Sequence, residues 1–85
     1  MVIDQNKRMP KLICKNGSET RTLRRNLGLT QCEFWGALQV TQSGGSRYES
    51  GRDMPEQVAL LLHLAFGTEK QSRKLLEWLR GTSSR

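Results

Sequence analysis

The chain is expected to be all-α: five short helices in one compact bundle. Three observations lead there. Apolar residues fall at helical spacing, no region is rich in strand formers, and capping residues and glycines bracket the apolar runs. With 85 residues, there is room for one small domain and no second core.

Residues 1–16 read as a basic, flexible arm with Pro10 as a breaker, and Lys11-Leu12-Ile13-Cys14 as a short extended piece. Residues 17–81 are the expected domain. Asn16-Gly17 marks a turn, Ser18 is the expected N-cap, and the first helix runs to about Leu27, where Gly28 ends it. Leu23 and Leu27, at i and i+4, make its narrow apolar stripe. Thr30 caps a second helix from Gln31, which breaks at Leu38-Gln39-Val40. Thr41 opens a polar third helix, Gln42 to Ser50, and Gly51 ends it. A helix with so little to bury usually exists to show its polar face to a partner. Pro55 suits the first position of a fourth helix ending at Phe66, apolar nearly all round. Gly67 stops it. Thr68 caps a fifth helix to about Arg80, carrying Leu75, Leu76, Trp78 and Leu79, and residues 82–85 are a frayed tail. The surplus apolar surface of the last two helices suits a shared core or a homodimer interface.

The net charge is +6 and unevenly placed. Residues 1–25 hold seven basic residues against two acidic ones, whereas the remainder is nearly balanced. A positive field beside a polar helix suits a polyanion such as double-stranded DNA, although a basic tail also serves solubility. No run has the apolar length of a membrane span and no signal peptide is evident, so a cytoplasmic, nucleoid-associated protein without membrane contact is expected. Cys14 and Cys32 are expected as reduced thiols. With His63 alone to help them, they make no metal site. His63, on an apolar helix, reads as a packed histidine. No carboxylate pair, nucleophile–base set or phosphate loop is present, so neither an enzyme nor a cofactor is expected.

Leu27-Gly28-Leu29-Thr30-Gln31, Glu33-Phe34, Val40-Thr41-Gln42 and Ser46-Arg47-Tyr48-Glu49, with Gly51-Arg52 and Pro55, resemble the Cro/C1-type (lambda-repressor-like, XRE) helix-turn-helix family. The resemblance covers about Ser18 to Phe66. It implies a DNA-binding fold whose third helix enters the major groove. By that resemblance, Gln42, Ser43, Ser46 and Arg47 meet base edges, with Gln42 suited to adenine and Arg47 to guanine. Thr30, Gln31, Thr41 and Arg52 meet phosphates. The threonines are helix caps in either case. Arg24 and Glu49 form a structural ion pair that ties the first helix to the end of the third.

Three positions depart from the family pattern. Trp35 stands where alanine is usual, Gln39 replaces the turn glycine, and Gly45 replaces an apolar anchor. Trp35 is expected to fill the space left at Gly45. Gln39 must accept a left-handed conformation or use another turn. Glycines at 44 and 45 lower helix propensity by roughly 1 kcal/mol each, and close approach of the backbone to DNA would offset that.

The leading expectation is a sequence-specific transcriptional regulator, a repressor acting as a bacterial homodimer by occupying an operator, with no sensor domain. The alternative is an antitoxin that binds its own promoter and holds a toxin protein through the apolar C-terminal helices or the basic arm.

Overall fold

The structure, a computed structural model, describes residues 8–83. Among the described residues there are five helices and no strand: α1 (Gly17–Asn26), α2 (Gln31–Ala37), α3 (Gln42–Glu49), α4 (Glu56–Phe66) and α5 (Glu69–Ser83). None is long and apolar enough to cross a membrane.

The caps explain most of the boundaries. α1 is capped by Asn16 rather than Ser18. The Glu19 N–H donates to Asn16 Oδ1 at 2.9 Å, and the Lys15 N–H donates to Glu19 Oε1 at 2.7 Å. The residue read as a turn is itself a strong cap, so the helix starts earlier, at Gly17. Its last helical residue is Asn26, and Gly28 then takes φ 72°. Leu23, half-buried, packs on the core, but Leu27 stays 46% exposed, so only one leg of the expected stripe meets the core.

α2 opens on a reciprocal capping box. The Glu33 N–H donates to Thr30 Oγ1 at 3.1 Å, and the Thr30 N–H donates to Glu33 Oε1 at 2.9 Å. Gln39, with φ 62°, takes the left-handed conformation at the turn. Thr41 Oγ1 accepts the Gly44 N–H at 3.0 Å and caps α3. Ser50 is the C-cap, just beyond the last helical residue, Glu49. Pro55 occupies the cap position of α4 instead of its first helical position. Thr68 and Gln71 cap α5 reciprocally, at 3.1 and 2.8 Å. α5 runs past the expected end near Arg80, to Ser83.

α2 and α1 both pack on α3, and α4 packs on α5. Two apolar clusters hold these elements together. One joins Cys14, Phe34, Trp35, Leu38 and Leu62, with Phe34 stacked on Phe66 at 4.4 Å. The other joins Leu12, Ala59 and Leu75. Leu12 and Cys14, near the end of the expected arm, are therefore core residues. Residues 1–7 of that arm lie outside the described residues.

His63 links the two clusters' surroundings. It is buried, its Nδ1 accepts the Ile13 N–H at 3.1 Å, and its Nε2 lies 3.1 Å from the Gln71 carbonyl. A ring nitrogen that accepts a backbone N–H carries no hydrogen, so Nε2 is the donor to Gln71. One side chain on α4 thus fastens the segment before α1 and the first turn of α5.

Candidate nucleic-acid interface

α3 has eight residues and two internal glycines, so its position depends on what it rests against. Its inner face is Gly45 and Glu49, four apart and both buried. A Cβ added at Gly45 would overlap the Trp35 indole, and one added at Gly17 would overlap the Tyr48 carbonyl. The first overlap shows that Trp35 occupies the volume an apolar anchor would fill. It also corrects the expectation for Gly45, whose missing side chain makes room for the indole and not for DNA. At Gly44 a Cβ would meet Thr41 Oγ1 at 3.1 Å and Val40 Cγ1 at 3.4 Å.

Glu49 is the electrostatic centre of this seat. Arg24 Nε donates to Oε2 at 2.8 Å and Nη2 to Oε1 at 2.9 Å, a two-pronged fit of guanidinium to carboxylate. Gln31 Nε2 adds a bond to Oε1 at 3.1 Å, and Trp35 Nε1 adds one to Oε2 at 2.8 Å. Each oxygen accepts two N–H groups, which fills the carboxylate's capacity. The third Arg24 donor, Nη1, reaches the Leu29 carbonyl at 2.8 Å and so holds the α1–α2 turn. Burial pushes the Glu49 carboxyl up. The bonds from Arg24, Trp35 and Gln31 outweigh that and hold it at about 2, against an ordinary 4.5.

The network continues outward. Gln31 turns its Nε2 to the carboxylate, because only the amide nitrogen can donate. Its Oε1 is then left to accept from Gln42 Nε2 at 2.8 Å. The residues proposed from sequence thus fall into three groups. Arg24, Gln31, Gln42 and Glu49 form one hydrogen-bonded chain. Thr30 and Thr41 are caps at the exposed starts of α2 and α3. Ser43 and Arg47 are exposed on α3, Ser46 is half-buried, and Arg52 is exposed just beyond the helix. The outer face therefore offers an amide, hydroxyls and a guanidinium, while the acidic group of α3 is turned inward and neutralised.

Sequence reasoning missed the indole as a hydrogen-bond donor. The departure at position 35 signalled a change of volume. Only the structure shows that Trp35 Nε1 meets the same carboxylate as Arg24.

Two helices joined by a tight turn, the second displaying a polar face, make a helix-turn-helix motif. The chain belongs to the RsaL-like HTH domain family, whose match spans residues 21–65, from within α1 almost to the end of α4. That membership makes it a DNA-binding regulator in general terms. No curated protein and no solved structure matches the chain.

Proposed function

We propose that this protein is a sequence-specific transcriptional regulator that reads duplex DNA with α3 and represses by occupying its operator. The carrying observation is the two-sidedness of α3. Gly45 and Glu49 are locked against the body, while Gln42, Ser43 and Arg47 face outward beside the half-buried Ser46. With α3 docked in the manner of Cro/C1-type domains, Gln42 pairs with adenine and Arg47 with guanine. Thr30, Gln31, Thr41 and Arg52 flank α3 and face phosphates, and the basic residues preceding α1 add sequence-independent attraction.

The protein acts as a homodimer on two half-sites about 34 Å apart, or one helical turn. Leu61 on α4 and Leu76 on α5, 45% and 46% exposed, supply apolar surface for a second copy. Binding-site selection from random duplexes, followed by sedimentation with and without the selected DNA, tests both parts. A two-fold related consensus and a dimer are expected. Retention of all sequences alike would remove the reading role of α3, and a monomer at tens of micromolar, with and without DNA, would remove the dimer.

A further inference from the structure

We infer that Trp35 is a positioning residue for DNA recognition: its indole sets the height and rotation at which α3 presents Gln42, Ser43 and Arg47. This rests on the reading of α3 proposed above.

The indole meets α3 at two places one turn apart. Its ring lies under the bare Cα of Gly45, and its Nε1–H holds Glu49 Oε2 at 2.8 Å. One contact sets the distance between α2 and α3. The other resists rotation of α3 about its axis, because Glu49 would have to leave its donors. The indole itself is fixed: Trp35 is fully buried, with Phe34 at 5.2 Å edge-on and Tyr48 at 5.7 Å. The same carboxylate receives Gln31, which in turn holds Gln42. A change in the Trp35–Glu49 bond therefore reaches the first residue of the recognition helix through two further hydrogen bonds. Two-pronged base contacts demand placement within about 0.5 Å, whereas phosphate attraction tolerates displacement. Loss of the indole donor should thus weaken discrimination between sequences while leaving general DNA affinity in place.

The test replaces Trp35 site-specifically with 3-benzothienylalanine, in which sulfur takes the place of the N–H at similar volume, and with 5-fluorotryptophan, which keeps the donor. Affinities are measured for the duplex selected by the unaltered chain and for a scrambled duplex, well below the melting temperature. Trp35→3-benzothienylalanine should lower affinity for the selected duplex about ten-fold, the loss expected when one two-pronged base contact is misplaced. Affinity for the scrambled duplex should change less than about two-fold, because backbone attraction persists. Trp35→5-fluorotryptophan should keep the original ratio. An unaltered ratio with the benzothienyl side chain overturns the inference. Absence of any sequence preference in the unaltered chain instead removes the reading of α3 on which it rests. A measurement on the unaltered protein guards against failure to fold. The Trp35 indole proton should exchange slowly with solvent, and its resonance should shift with the same acid midpoint as the Glu49 carboxyl. Unprotected exchange, or a shift independent of Glu49, overturns the inference as well.

Discussion

A single carboxylate joins α1, α2 and α3. Glu49 is buried because four donors meet it, and it carries charge because those donors outweigh the burial. Its effect on stability has a definite sign. A carboxyl held below its unfolded value contributes fully above about 4.5 and loses the contribution as pH falls towards about 2, a change of about 3 kcal/mol. Urea unfolding between those pH values should show that loss, and Glu49→Gln should largely abolish the pH dependence. Glu49→Ala leaves Arg24, 12% exposed, without its counter-charge, so it should destabilise by roughly 3–5 kcal/mol and by more than the Arg24→Ala/Glu49→Ala double variant. A double-mutant cycle in urea measures the coupling, and a coupling of zero would refute it. The Arg24–Glu49 pairing spans 25 residues, which no local spacing rule covers, so it was legible only through the family resemblance. The third partner was not legible at all. A tryptophan in sequence announces bulk, whereas the direction of its N–H depends on how α2 crosses α3.

At the scale of elements, local chemistry carried furthest where it acted alone. Thr30, Thr41 and Thr68 cap the helices that sequence assigned to them, because a cap needs only its own first turn. Asn16 and Ser18 were both competent caps, and a distant contact separates them. The residue after the cap lies so close to the Tyr48 carbonyl that only glycine fits, and Gly17 is that residue. Gln39 shows the opposite tension. A non-glycine residue at φ 62° is strained, and its side chain offsets that with no more than a long 3.4 Å bond to the Gly36 carbonyl, which already accepts the Gln39 backbone N–H at 3.0 Å. Gln39→Gly should therefore stabilise the fold by about 0.5–1 kcal/mol, less than the full strain because glycine also loosens the unfolded chain. Thermal melting measures it. On the outer face of α3, Arg47→Ala should weaken binding by roughly 1–3 kcal/mol and relax preference at one base pair. An equal loss on every sequence in a competition assay would place Arg47 on a phosphate instead.

For the whole molecule, the sequence marked five helices and one basic end but not what fills the base of the bundle. Leu12 and Cys14 read as parts of an arm because lysines and a proline surround them, and a run of three apolar residues is too short to show a period. Their burial separates the two thiols. Burial pushes the Cys14 thiol up, whereas Cys32 is exposed on α2. A disulfide reagent should modify one thiol per folded chain quickly and the second only on unfolding. Two fast thiols would show that the segment before α1 detaches readily. The match to residues 21–65 stops short of that segment and of α5, the two pieces that His63 fastens.

That fastening has a consequence for how the molecule opens. α1, α2 and α3 share one carboxylate, so their amides should become exchangeable together, in a single cooperative step. α5 lies outside that network and is held to α4 by Leu75, by the Ser72 hydroxyl on the Leu64 carbonyl at 2.9 Å, and by His63. His63→Leu removes one of those ties and leaves the Gln71 carbonyl and the Ile13 N–H without their partner. Hydrogen exchange should then show α5 and the segment before α1 losing protection first, while α2 and α3 keep theirs. The imidazole would be the clasp between a three-helix unit that opens as a whole and an α5 that opens before it.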